Sequence, residues 1–424
     1  MLDLRLIRKD PDRVRAALAR RGDGAELDRV LLLDASCRAL RTEVEEMRAE
    51  STRIAMTIGQ AKRAGESVPP ATEAIARGVR EQTTTKEDLL RAAEADRDHV
   101  LLGLPNLAHP DAPDGGEDDA VEVRTVGAIP AFDYEPLDHV TIAEALGGLD
   151  LERAARTSGA RFAYLLGPLV RLQLSLVTYA VDLLEHEGFM PVIPPVLVRE
   201  EALVGTGFFP TDRSAIYQTA DDDLFLVGTS EVPLAAFHQD EILREEDLPL
   251  RYAGISTCFR REAGAAGRDN RGIFRVHQFD KVEMFSFVAP EDAKEEHLRL
   301  LAIEEQILTT LGLPYRVLDI AVDDLGASAA RKFDCEAWLP SEGRYRELTS
   351  TSNTSDFQAR RLAIRMRREG GKPELLATLN GTAVAVGRTI IALLENGQQA
   401  DRSVVIPQCL VDCGAAPVIP AAGA

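Results

Sequence analysis

No CxxC pair stands anywhere in this sequence: its five cysteines, Cys37, Cys258, Cys335, Cys409 and Cys413, are scattered. That spacing indicates neither a disulfide framework nor a closed zinc site, and no zinc is expected. Only Cys409 and Cys413 lie close together, and without further ligands nearby they read as ordinary tail cysteines. A run of ~18 apolar residues is also missing, although 45% of the chain is hydrophobic. The amino-terminal MLDLRLIRKDPDRVR carries charge where a signal peptide needs its apolar stretch, so a soluble, cytoplasmic protein without a membrane partner is expected. Neither a GxxxxGK loop nor a GxGxxG fingerprint is present, so a nucleotide site has to be built from side chains. No internal repeat of fixed period occurs.

The 424 residues suggest two or three domains at ~100 to 200 residues each. A net charge of −20 argues at first against nucleic acid, whose phosphates need Lys and Arg. The distribution weakens that objection. Residues 1–110 hold 19 Lys+Arg and 19 Asp+Glu, so the acidic excess lies wholly in 111–424, and a nucleic acid should meet the amino-terminal part first. In that part, Val30, Leu33, Cys37, Leu40, Val44, Met47, Ser51, Ile54 and Ile58 alternate steps of three and four, predicting a long helix with one seam. AGESVPP (Ala64 to Pro70) interrupts it, because prolines remove donors and Gly65 loosens the backbone. The return segment repeats the pattern through Ile75, Val79, Leu89, Ala93 and Val100, with Gln82, Lys86 and Asp96 as polar interruptions. An antiparallel helical hairpin is therefore expected, serving either as a nucleic-acid arm or as a structural or dimerisation coil. Pro105 to Gly116, rich in Pro, Gly and Asp, reads as a linker.

Beyond it, short β-type runs (FMPVIPPVLV, DLFLVG, LPLRYAGIST, FRVHQFDKVEMFSFV, LPYRVLDIAV, VVIP) alternate with helical stretches at Leu172 to Glu187, Ala293 to Leu311 and Asp356 to Arg367. The expectation is an α+β fold on a mostly antiparallel sheet with flanking helices. Between Cys258 and Phe285, five arginines accompany a glycine-rich turn. Arginine's planar fork bonds phosphate oxygens in pairs and stacks on rings, although a hairpin with a charged exposed loop has the same composition.

The segment FRREAGAAGRDNRGIFRVHQFDKVE resembles motif 2 of class II aminoacyl-tRNA synthetases in its seryl-specific form. GFMPVIPPVLV (Gly188 to Val198) resembles motif 1, with Pro195 as its proline, and LNGTAVAVGRTIIALLEN (Leu379 to Asn396) resembles motif 3. Thr229, Ser230 and Glu231 match the T-x-E element of seryl enzymes, and the likeness runs through MLDLRLIRKDPDRVRAAL, the hairpin and SGARFAYLLG (Ser158 to Gly167) to about Pro407. The resemblance implies a bacterial-type seryl-tRNA synthetase: an N-terminal helical arm over 1–110 that binds tRNA(Ser), then a class II catalytic domain over 111–424 ending in a short irregular tail. It implies a homodimer about motif 1, with L-serine, ATP and Mg²⁺ as substrates and cofactor.

Residue by residue, the resemblance implies that Arg260 and Arg261 with Glu262 meet ATP, Arg260 at the α-phosphate and Glu262 at the adenine amino group. Phe279 would stack under adenine, and Arg388 would cover it and reach the γ-phosphate. Glu347, Leu348, Thr349 and Ser350 match the ATP-binding ELxS positions, with Glu347 and Ser350 toward Mg²⁺. Thr229, Ser230, Glu231, Arg260, Glu283, Asn380 and Thr382 match the serine pocket; Arg260, Glu283 and Arg388 would carry the catalytic roles. His277 matches a scaffold position and is left out of catalysis. Three departures stand out: Thr382 where serine is usual, Asn270 where threonine is usual, and a Pro/Ala-rich tail, IPQCLVDCGAAPVIPAAGA, in place of VPEVLRPY. They open an alternative, a diverged second copy serving specialised metabolism or inhibitor resistance. A non-catalytic synthetase-like binding module would instead predict damaged ATP positions, and those are intact. Serine activation for a carrier protein would predict a missing arm, and the arm is present.

Overall fold

The computed structural model describes residues 1–22, 24–263 and 271–422; Arg268 and Asn270 of the motif 2 turn lie outside the described residues. The chain divides into two compact units, Leu2–Leu104, and Pro105–Ala424 together with Met1. Among the described residues no helix is long and apolar enough to cross a membrane.

The first unit opens with two short helices, Leu4–Lys9 and Pro11–Ala19, each started by an aspartate whose side chain accepts a backbone N–H, Asp3 from Arg5 and Asp10 from Arg13. Two long helices follow, α1 (Gly24–Arg63) and α2 (Pro70–Gly103), paired along their length as the expected hairpin. Pro70 stands in the first turn of α2, where its missing donor costs nothing. On α1 the anticipated seam is inward, with Val30, Cys37 and Val44 buried. On α2 half of it shifts by one residue. Ala76, Thr83 and Arg97 are buried, whereas Ile75 and Leu89, which the apolar pattern selects, are 58% and 50% exposed. The larger side chains marked the wrong column because two closely packed helices accept small residues such as Ala76. Buried polar groups there are satisfied: Thr83 Oγ1 donates to Val79 O at 2.7 Å, and Arg97 lies 3.7 Å from the buried Asp34, which also accepts from Arg8. Lys86, counted as a seam defect, reaches Glu43 across the hairpin at 2.6 Å.

In the second unit eight strands form one sheet: β1 (Val121–Val126), β2 (Met190–Val192), β3 (Leu250–Phe259), β4 (Gln278–Val288), β5 (Tyr315–Asp319), β6 (Arg331–Leu339), β7 (Arg344–Asn353) and β8 (Ala377–Ala385). Their order is β1-β5-β6-β7-β8-β4-β3-β2, and every neighbouring pair is antiparallel except β2 beside β3. Helices α3 (Gly167–His186), α4 (Ala293–Thr310) and α5 (Val386–Gly397) share one apolar core with the sheet, built from Leu172, Ile307 and Ile391 against Val282, Met284 and Cys335. Because strand side chains alternate, the other face of the same strands is left for polar residues.

Three expectations change. Asp356 to Arg367 is not one helix: Phe357–Arg361 is helical, Ala363 takes a left-handed φ of 55°, and Arg365–Arg367 is a strand. The Pro105 to Gly116 stretch is no free linker. Asn106 Nδ2 donates to Ser328 O at 2.9 Å and Thr354 O at 2.8 Å, and Ala108 and Ala112 pack with Leu318, Ile320 and Val322. The tail is folded, not irregular: Val404–Val405 pairs with Val418–Ile419, and Leu410 and Ile419 enter the main core. A Pro/Ala-rich composition masked these few apolar anchors.

The shifted seam is testable on the full-length chain by denaturant unfolding with hydrogen exchange on the arm amides. Leu89→Ala should change stability by less than about 0.5 kcal/mol, and Leu27→Ala, at a fully buried site, should cost about 2 to 5 kcal/mol.

Candidate active site

A cleft of about 280 Å³ opens on the polar side of the sheet. Alternation along β4 aims Phe279, Lys281 and Glu283 into it while Val282 and Met284 enter the core. From β8, Asn380 and Thr382 line the same cleft, with Thr382 directly across from Glu283 in the β4 ladder. On β7 simple alternation would put Glu347 and Ser350 on opposite faces. A register shift against β6 between Cys335 and Glu336 inserts an extra residue, and both side chains line the cleft. Thr349 turns to the other face, where its Oγ1 donates to Glu304 Oε2 at 2.9 Å.

The cleft floor is a buried charge cluster. Thr229 stands just before, and Glu231 opens, the short helix Glu231–Ala235, which packs close on β3 at Gly254, where a Cβ would sit 2.7 Å from Leu234 Cδ1. Lys281 Nζ donates to Thr229 Oγ1 at 2.6 Å and is ion-paired with Glu283. Burial, then the neighbouring Glu283 charge, pushes the Glu231 carboxyl up to about 7. Glu283 is also raised, by burial, against the pull of Lys281. Gln358 Nε2 donates to Glu231 Oε1 at 2.8 Å. Ser230, wholly buried, has no hydrogen-bond partner for Oγ among the described residues and does not line the cleft.

The cleft's other half is cationic and aromatic. Arg260 Nε donates to Gly228 O at 3.3 Å, and its guanidinium carbon is 5.3 Å from the centre of the Phe279 ring. Arg388, in the first turn of α5, stands 4.6 Å from the centre of Phe274, donates to Glu347 O at 3.0 Å and pairs with its carboxylate at 3.3 Å. Burial opposes charge on Glu347, but Arg388, Lys332 and Arg260 hold its carboxyl below the usual range. Glu262 lines the cleft with a left-handed φ of 49° and faces Arg275 at 3.5 Å. Arg261 lies outside the lining, its guanidinium carbon 6.0 Å from the Tyr217 ring centre. His277 Nδ1 is 2.8 Å from Arg260 O, and Arg260 N donates to His277 O at 2.9 Å, an arrangement that braces the strand ends.

Thus Thr229, Glu231, Arg260, Glu262, Phe279, Glu283, Glu347, Leu348, Ser350, Asn380, Thr382 and Arg388 converge, whereas Ser230, Arg261 and Thr349 point elsewhere. Lys281, Phe274 and Lys332 were missed; the period-two step from Phe279 to Glu283 was the available signal for Lys281. Among the described residues no group of three or more His, Cys, Asp or Glu forms a metal cluster.

The strands and arginines that frame the cleft lie in a synthetase catalytic core: residues 214–397 match the family model of the class II tRNA synthetase core domain (G, H, P, S and T). Residues 1–108 match the seryl-tRNA synthetase N-terminal domain. Serine–tRNA ligases of Nocardia farcinica and Streptomyces coelicolor are each 52% identical, the first over 97% of both chains and the second over 97% of this chain and 96% of its own. The crystal structure of seryl-tRNA synthetase from Pyrococcus horikoshii complexed with ATP is 40% identical, covering 99% of this chain and 100% of its own, with a TM-score of 0.93. The chain belongs to the seryl-tRNA synthetase family.

The buried acid at the cleft floor has a measurable signature. Its carboxyl is raised from an ordinary 4.5 to about 7, so burial costs nothing while both folded and unfolded forms are protonated, and the cost grows as pH rises through that window. Glu231→Gln should therefore stabilise the fold by up to about 3 kcal/mol near pH 8 and hardly at all near pH 4, read by thermal unfolding at the two pH values.

Proposed function

We propose that the chain activates L-serine with ATP to seryl-adenylate and transfers the seryl group to tRNA(Ser). The observation that carries the reading is the meeting, in one cleft, of a small acid-lined pocket with an arginine–aromatic pair, Arg260 beside Phe279. Glu231, Glu283, Asn380, Thr229 and Thr382 take the amino acid: two buried carboxylates suit its ammonium group and hydroxyl. A serine lacking its hydroxyl would leave those buried groups unpaired, which is how such a pocket rejects alanine. Phe279 takes one face of adenine and Arg388 the other, with Glu262 at its amino group.

The serine carboxylate oxygen attacks the α-phosphorus, the bond to the β-phosphate oxygen breaks, and pyrophosphate leaves. Arg260 holds the carboxylate against the α-phosphate and meets the charge that builds there, so the protein contributes positioning and electrostatics without a covalent step. Glu347 and Ser350 offer hard oxygen donors on one face, a set that fits Mg²⁺. Bound there with ATP, the metal would neutralise phosphate charge. The arm, neutral where the rest of the chain is acidic, takes the tRNA, and GFMPVIPPVLV, with Ile193 83% and Met190 62% exposed, meets its counterpart in a homodimer. Of the three departures behind the diverged-copy reading, Asn270 lies outside the described residues, the tail packs into the main core, and Thr382 places a methyl in the pocket wall with its hydroxyl retained.

Serine-dependent ATP–pyrophosphate exchange followed by tRNA charging tests the function. Arg260→Ala should lower exchange ~10²-fold or more with the fold intact; activity within a few-fold of the unaltered chain would remove Arg260 from the reaction. Deleting Leu27 to Leu104 should leave exchange but abolish charging, and normal charging by the shortened protein would show that the arm does not read tRNA.

A further inference from the structure

Gln358 lies behind the cleft wall in the short helix Phe357–Arg361, wholly buried, and does not line the cleft. Its amide has one permitted orientation. Nε2 is 3.3 Å from the carbonyl oxygen of Thr206, which can only accept, while Oε1 is 2.9 Å from Thr378 Oγ1, which can donate; the Thr354 hydroxyl gives its one proton to Thr378 O at 2.7 Å and so braces that threonine. The reverse amide would set two carbonyl oxygens against each other. The remaining Nε2 hydrogen is therefore committed to Glu231 Oε1 at 2.8 Å. Backbone bonds keep this frame in place: Thr354 N donates to Thr378 O at 3.1 Å and Thr378 N to Ser355 O at 3.0 Å, tying the helix to the start of β8.

We propose that Gln358 is a positioning residue for amino-acid selection: with its amide locked by Thr206 and Thr378, it holds Glu231 as an aimed hydrogen-bond acceptor for the substrate's ammonium or hydroxyl group. The inference rests on the serine-activating reading above and assigns part of that selectivity to a side chain that never touches serine. Other groups also bear on Glu231. Glu283 on β4 opposes its charge, and Lys281 on β4 and Arg260 after β3 favour it; Gln358 is the one neutral donor in the set. A neutral donor stabilises the carboxylate without neutralising it, whereas a second lysine would compete with the substrate's ammonium for the same acid.

The test uses the full-length chain in serine-dependent pyrophosphate exchange from about pH 6 to pH 9, comparing the unaltered protein with Gln358→Met, which keeps length but removes the donor, and Gln358→Glu, which keeps shape but adds an acid. In the unaltered protein the KM for serine should rise as pH falls through about 7, as Glu231 takes up its proton, with the KM for ATP nearly flat. Gln358→Met should raise the serine KM about tenfold or more near neutrality, the scale of one hydrogen bond to a charged group, and move the acid limb to higher pH. Gln358→Glu should move it further, and in both the KM for ATP should stay within about threefold. A serine KM or acid limb unmoved in either variant overturns the inference. So does a serine KM in the unaltered protein that is flat across this pH range, a result that needs no variant to fold. No serine-dependent exchange by the unaltered protein would instead overturn the functional reading itself.

Discussion

One buried ammonium, Lys281, must balance two buried carboxylates, Glu231 and Glu283, at the floor of the cleft. A cation fewer or an acid more would leave uncompensated charge in a dry site, which costs several kcal/mol in practice. With the site empty, the cluster sits one positive charge short when both acids ionise, and the Glu231 carboxyl is raised by burial first and by the neighbouring Glu283 charge second. An amino acid's ammonium group would supply the missing charge. The pocket is thus electrostatically incomplete in a way its substrate can complete, which favours binding without a large apolar contact surface.

The sheet makes this possible by having two unlike faces. One set of alternating positions holds Val282, Met284 and Cys335 under α3, α4 and α5, and the other set is free to carry charge. Where strict alternation would misplace a group, the ladder is broken: the shift on β7 brings Glu347 and Ser350 to one side, and a second shift on β8 falls between Thr382 and Val384. Even the core face is not purely apolar. Glu304 on α4 is fully buried, with its carboxyl held well above the usual range chiefly by burial, and its Oε2 accepts from the Thr349 hydroxyl on the strand that presents Glu347.

The sequence made the class of fold and most cleft residues legible because motif spacing preserves them, and it failed where physics is non-local. Strands β3, β4 and β5 read as β-type because their apolar residues cluster. Strands β6, β7 and β8 did not, since their site-facing positions carry Lys332, Glu347, Ser350, Ser352 and Asn380, residues that spoil a hydrophobic pattern. The functional strands were the hardest to see as strands. Thr349 was grouped with its neighbours in the ELTS run, and only the register against Cys335 shows that it faces away. Gln358 carried no signal of its own, because its partners Thr206, Thr378 and Glu231 lie far off in the chain. On the arm, apolar size misled by one residue at Ile75 and Leu89.

The hairpin's ion pairs are of two kinds, and they divide it along its length. Asp34, almost fully buried, is held near the base by Arg97, itself largely buried, and by the more exposed Arg8. Arg41 with Glu94, Glu43 with Lys86 and Arg48 with Glu87 cross between the helices farther out, and all of these side chains are substantially exposed. Mobile ions screen exposed pairs and leave buried ones nearly untouched. Rising ionic strength would therefore loosen the arm from its middle outward while the base stays clamped, leaving a stiff root with a more compliant distal part.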